Sequence, residues 1–354
     1  MISSARREPC RERSEALLRF DYYLLNTYVP ELDGSASELY ARWIEQIVLA
    51  DELGYYCAWL TEHHFRVFGG MLPSPQLLMG ALSQRTSRIR FGTSVSLLPL
   101  HNPLRIAEEM AMVDVLSNGR LEFGVGRGMA QNLAAFGTDN ATAQETLEED
   151  IEIIRAAWSQ PSFTWEGKHF QCPDPITIMP SPVQKPHPPF WVAVMRDPGH
   201  ARAAGQQGFS ILTLPWAFAS FGPSRAMIEA YRDGVREGGH DPASCEVLAM
   251  YPTYVGATAE LARAAAEPAY AHFRRVGDEE RGGPPPDAQP YGAMVEAHRL
   301  IVGDAAMCRE HVGRIRDELG VDRLGLLFHF GGLDHQLVLD SIHRFAAEVA
   351  PAFA

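Results

Sequence analysis

The chain has little cysteine and no pattern to the cysteine it has. Its five (Cys10, Cys57, Cys172, Cys245, Cys308) are odd in number and widely scattered. They show neither metal-ligand spacing nor a disulfide framework, which predicts a reducing, cytoplasmic setting and no metal site. Basic clusters are also missing. No run of Lys or Arg forms a stripe, and the net charge is −13, which argues against nucleic acid as the main partner. No apolar stretch is long enough to span a bilayer. The first nineteen residues are charged (Arg6, Arg7, Glu8, Arg11, Glu12, Arg13) and lack the apolar core of a secretory signal. They read as a disordered extension ahead of one domain, 20–354, in which no linker and no internal repeat stands out.

What is present is an alternation. Short apolar runs at 20–29, 55–60, 89–98, 120–125, 190–194, 209–214, 247–255 and 324–330 read as strands. Between them lie stretches with helical periodicity, several of them clearly punctuated. Ser35 or Ser37 caps a helix that Gly54 ends, Asn102-Pro103 opens another, and Asn118-Gly119 closes it. Strand and helix alternating at short intervals, eight strands in all, predict a parallel α/β fold closed as a (β/α)8 TIM barrel. The 354 residues exceed the roughly 250 such a barrel needs. Two segments break the rhythm. Residues 159–189 are proline-rich and read as a hairpin insertion between strands 4 and 5. Residues 276–292, with Pro284-Pro285-Pro286, are too polar and too long for an ordinary loop, and read as a disordered stretch or lid between strands 7 and 8.

In a parallel barrel the chemistry gathers at the C-terminal ends of the strands. Strand 2 ends in Glu62-His63-His64. A histidine there can move protons near neutral pH, and a neighbouring carboxylate can raise its pKa or fix its tautomer. Only one of the two histidines should face the site if the chain stays extended. Strand 3 ends in Gly92-Thr93-Ser94-Val95, small enough for a flat ring to approach the backbone. Strand 4 ends in Gly126-Arg127-Gly128, where backbone N–H groups and a guanidinium suit a phosphate. Strand 5 ends in Met195-Arg196-Asp197-Pro198-Gly199, opening a helix whose N–H groups could complete an anion site. Each ending read alone also fits a structural role: packing, a tight turn or ordinary capping. His329 reads as a satisfied histidine of the barrel rim, Asp114 and Arg120 as a tie between a helix end and strand 4, and Arg105 and Glu109 as a helix-face pair.

Taken together, Ala58-Trp59-Leu60-Thr61-Glu62-His63-His64-Phe65, Ile89-Arg90-Phe91-Gly92-Thr93, Leu98-Pro99-Leu100-His101-Asn102-Pro103, Asp114-Val115-Leu116-Ser117-Asn118-Gly119-Arg120, Gly124-Val125-Gly126-Arg127-Gly128 and Phe136-Gly137-Thr138-Asp139 resemble the bacterial luciferase-like, flavin-dependent monooxygenase superfamily. The resemblance implies that His63, in the Glu62-His63-His64 triplet, is the catalytic histidine. It implies a non-proline cis peptide at Ser94-Val95 under the flavin ring, and Arg127 on the FMN phosphate. Gly126 takes the place of the reactive cysteine of the luciferase α-subunit. Met195, Arg196 and Gly199 fall in a second phosphate-binding element, without its expected serine and threonine. The implied activity is that of a two-component system. A separate flavin reductase supplies FMNH2, and with O2 a small organic substrate is oxygenated through a C4a-peroxyflavin. A homodimer is a further implication. A deazaflavin-dependent hydride-transfer enzyme, a metal-dependent barrel hydrolase using His63 and His64, and a non-catalytic flavin-binding partner subunit are the competing readings.

Overall fold

A computed structural model describes residues 17–25, 27–280, 282–284 and 288–353. Eight parallel strands close on themselves. They are β1 (Arg19–Leu24), β2 (Cys57–Leu60), β3 (Arg90–Thr93), β4 (Leu121–Gly126), β5 (Phe190–Ala193), β6 (Ser210–Thr213), β7 (Val247–Val255) and β8 (Arg323–Leu327). Each pairs in parallel with the next, and β8 pairs back onto β1. The expected (β/α)8 barrel is therefore the fold. Buried on both faces, these strands need near-continuous apolar sequence, as in β7, where all nine residues are buried.

The helices between them start and stop where the punctuation said. Ser35 accepts from the Glu38 amide while the Glu38 carboxylate accepts from the Ser35 amide, a capping box. That helix, Ala36–Leu53, stops at Gly54, which has φ +85°. Asn102 caps helix Pro103–Leu116 through the amides of Leu104 and Arg105. Asn118 and Gly119 then both take positive φ to end it.

Several boundaries differ from the sequence reading. β1 already begins at Arg19, so the extension is shorter than nineteen residues, and residues 1–16 lie outside the described ones. The run 89–98 is not one strand. β3 stops at Thr93, the Ser94–Val95 peptide is cis, and a two-residue strand, Ser96–Leu97, then pairs with the end of β4. The insertion does hold an antiparallel hairpin, Phe163–Glu166 with Gln171–Ile176. Of the stretch 276–292, the first part is not irregular. Helix Ala259–Glu280 runs through it with Val276 buried, and a further helix, Tyr291–Glu296, begins inside it. The apolar face of the long helix outweighs the polar, proline-rich sequence that follows. Residues 281 and 285–287 lie outside the described ones. Strand Ile301–Gly303, which pairs with the far end of β7, is too short to signal itself in sequence.

Candidate active site

At the C-terminal mouth of the barrel lies a cavity of about 760 Å3, within the range of small-molecule sites. Its wall includes Glu62, His63, Ser94, Val95, Gly126, Arg127, Met195 and Arg196. Four strand endings spread over more than 130 residues of sequence thus meet around one space. Of the residues expected there, Gly199 alone does not line it. Its amide donates to the Asp197 carboxylate at 2.8 Å, capping helix Pro198–Gln206. The cap thus engages the N–H that the sequence reading offered to an anion.

Of the triplet after β2, Glu62 and His63 both reach the cavity wall and His64 does not. His63 faces the cavity, its ring edge-on to Phe68. Gly69, at φ +78°, passes so close that a Cβ there would lie 2.7 Å from the His63 ring. Burial pushes the His63 pKa down to about 4, although Glu62 pulls it upward, so the imidazole is neutral at neutral pH. Its Nδ1 is buried with no hydrogen-bond partner. Glu62 does not bond His63. Its Oε1 accepts from His64 Nε2 at 3.1 Å and from His101 Nε2 at 2.7 Å. Its Oε2 accepts from the Leu97 amide at 3.1 Å and the Ser96 hydroxyl at 3.4 Å. Glu62 thus acts on His63 through its charge and not through a hydrogen bond. Burial works to raise the Glu62 pKa, but these donors outweigh it and hold the carboxyl at about 2. The group is a fixed anion with no proton to give.

The floor of the cavity joins β3 to β4. Thr93 Oγ1 donates to the Gly124 carbonyl at 2.6 Å and accepts from the Gly124 amide at 2.9 Å. Gly124 has no room for a side chain, since a Cβ would lie 1.9 Å from the Thr93 carbonyl oxygen. A Cβ on Gly126 would meet Val95 Cγ2 at 2.4 Å. Glycine at 126 thus lets Val95 keep its place on the floor. Ser94 Oγ is buried and has no partner, and neither does Asn132 Nδ2, on the same wall.

Two cations stand at the rim. Arg127 is exposed, and Arg196 lies over the Phe218 ring at 5.4 Å. Asp197, also on the wall, is 3.6 Å from His200 Nε2. Residues to which sequence reading gave no part complete the wall. Gln144, Leu147, Glu148 and Ile151 come from helix Ala143–Ser159, and Ala203, Ala204 and Gln207 from Pro198–Gln206 and its end. Their helical spacing marks them only as one face of a helix. His101 was visible as part of a motif, but nothing local shows that it reaches Glu62.

The remaining candidates are structural. His329 Nε2 meets Asp33 Oδ1 at 3.1 Å, deep in the protein. Arg105 and Glu109 form the helix-face pair at 2.7 Å. Asp114 and Arg120 do tie the end of helix Pro103–Leu116 to β4, each through its own partners. Asp114 accepts from Gln184 and the Leu121 amide, whereas Arg120 donates to the carbonyls of Ser83, Thr86, Ile89 and Ser117. No cluster of three or more His, Cys, Asp or Glu able to hold a metal occurs among the described residues, and no helix among them is long and apolar enough to cross a membrane.

The chain is similar in sequence or fold to several known proteins. The oxygenase component of the flavin-dependent trigonelline monooxygenase of Acinetobacter baylyi is 28% identical over 334 residues, covering 90% of this chain and 91% of that one. The crystal structure of monooxygenase RslO1 from Streptomyces bottropensis superposes with a TM-score of 0.86 at 26% identity, covering 95% of this chain and 100% of that one. The fold is shared with the oxygenating constituent of 3,6-diketocamphane monooxygenase from Pseudomonas putida, a type II Baeyer-Villiger monooxygenase in complex with FMN (TM-score 0.80, 21% identity, 95% and 99% coverage). It is shared too with the coenzyme F420-dependent tetrahydromethanopterin reductase of Methanopyrus kandleri (TM-score 0.69, 18% identity, 96% and 100% coverage). The profile of one family, described as luciferase-like monooxygenase, matches residues 18–323, and the chain belongs to that family.

Proposed function

We propose that this chain is the oxygenase component of a two-component flavin monooxygenase. It takes reduced FMN from a separate reductase and oxygenates a small organic substrate. One observation carries the reading: a neutral, partnerless His63 Nδ1, the unpartnered Ser94 hydroxyl and the exposed Arg127 surround a single cavity floored by Val95 and Gly126. That donor set fits a flat heteroaromatic ring with polar edges and a phosphate tail. Val95 and the side-chain-free Gly126 give the ring a close floor, while Ser94 and Asn132 offer hydrogen bonds to its edge. Arg127 and Arg196, both on the wall, would hold the phosphate. The cofactor, when bound in reduced form, supplies the activation of O2. His63 holds or accepts a proton beside the reacting atoms, and the apolar wall of Leu147, Ile151 and Phe209 keeps water away from them. The trigonelline relative, an oxygenase component, supports the need for a reductase.

Titration with FMN, riboflavin and a deazaflavin tests the proposal. FMN should bind, and Arg127→Ala should raise its Kd about tenfold while leaving riboflavin, which lacks the phosphate, nearly unchanged. No flavin binding would overturn the reading. Anaerobic turnover with a reduced deazaflavin, and none with FMNH2 and O2, would replace it with a hydride-transfer enzyme.

A further inference from the structure

Glu62 is held by four donors from three places in the chain. Two of them, the Leu97 amide and the Ser96 hydroxyl, continue directly from Ser94 and Val95 on the cavity floor. The other two are His64 and His101. His101 makes the shorter bond, 2.7 Å, from the loop that joins the single turn Leu98–Leu100 to helix Pro103–Leu116. It does not line the cavity.

We propose, resting on the flavin reading above, that His101 is a positioning residue. By fixing the Glu62 carboxylate it locks the Ser96–Leu97 backbone, and with it the Ser94–Val95 floor against which the flavin ring lies. Its removal weakens flavin binding without removing any contact to the ligand.

The charged groups facing His101 are Glu62, Glu109 and Asp150. Burial opposes the charged ring, but the bond to Glu62 outweighs it, and the pKa lies above the ordinary histidine value. The charged ring, in which this bond is charge-assisted, is thus favoured more than in a free histidine, and the charge assistance is lost as pH rises. Asp150, on helix Ala143–Ser159, is a second titratable group facing His101. Burial and then Glu149 hold its pKa up at about 7, and its Oδ2 has no partner. A pH effect therefore has to be separated from Asp150 by the Asp150→Asn variant.

The test compares His101→Leu with His101→Gln, whose amide can still donate to Glu62. Flavin Kd is read by fluorescence quenching, and exchange at the Leu97 amide by hydrogen–deuterium exchange. His101→Leu should raise the FMN Kd about tenfold and speed Leu97 exchange by a similar factor. His101→Gln should stay within about threefold of wild type on both. Wild-type affinity should weaken toward alkaline pH, a trend kept in Asp150→Asn and absent in His101→Gln. A folded His101→Leu protein with unchanged Kd and unchanged Leu97 exchange overturns the proposal, and so does a His101→Gln variant impaired as much as the leucine one. If His101→Leu does not fold, His101→Asn, too short to reach Glu62, takes its place. If wild type binds no flavin, the functional reading fails and Leu97 exchange alone decides: acceleration supports the positioning role, and no change overturns it.

Discussion

His63 is the side chain on which the proposed chemistry turns, and its environment makes a definite statement about pH. Burial lowers its pKa to about 4, so the neutral ring persists through the physiological range and is lost only as pH falls through that value. Stability follows the same sign. The neutral ring's contribution is complete above the unfolded value near 6.5 and disappears as pH falls toward 4. Turnover should therefore show no limb from His63 between roughly pH 5 and 8, and a fall near pH 4. His63→Ala should cost about 10²–10⁴ in kcat with FMN affinity preserved, and should abolish that acid limb. A variant with full oxygenation in steady-state assays would remove His63 from the mechanism. Glu62 contrasts with it. Two neighbours in sequence have opposite duties, one open to the cavity with a free nitrogen, the other saturated and unable to accept a proton above about pH 2.

Between the strands, glycine decides how closely elements approach. Gly124 is the tightest case between β3 and β4, because the obstruction at 1.9 Å is backbone and cannot rotate away. Gly124→Ala should destabilise by about 3 kcal/mol or more, read by urea unfolding. Gly54→Ala, with nothing within 4 Å but φ +85°, should cost only about 1 kcal/mol. Equal losses would mean that the β3–β4 contact does not constrain the barrel. The same contrast explains what could be read from sequence. Caps and turns such as Ser35, Asn102 and Asn118-Gly119 are local devices and announce themselves. The convergence of four strand endings followed from barrel geometry once the alternation was seen. Pairings across distant residues left no trace. His101 reaches Glu62 from 39 positions away, Asp114 also holds Gln184 from the insertion, and the Gly199 amide went to a cap. The helical start of 276–292 was hidden because its apolar face begins well upstream, at Ala262 and Ala266.

At the scale of the whole molecule the barrel has two unlike ends. Opposite the cavity, Arg323 is fully buried at the start of β8, 2.8 Å from Asp21 and 3.3 Å from Glu246. Its guanidinium lies 4.5, 5.3 and 4.9 Å from the rings of Tyr56, Trp59 and Trp191. Trp59 donates to Asp21 at 2.7 Å, Trp191 to Glu122 at 2.6 Å, and Arg90 pairs with Glu122. Burial still raises the Asp21 pKa even against Arg323, so this carboxylate depends on its cation. Arg323→Leu should cost about 3–5 kcal/mol in chemical denaturation, part of it recovered by adding Asp21→Asn. A loss below about 1 kcal/mol would show that the cluster is not holding the barrel together. This charged, aromatic plug also settles how molecules travel. The interior has a doorway at one end: under the proposed function, whatever reaches His63 arrives and departs past the same rim, and cofactor and substrate share that entrance.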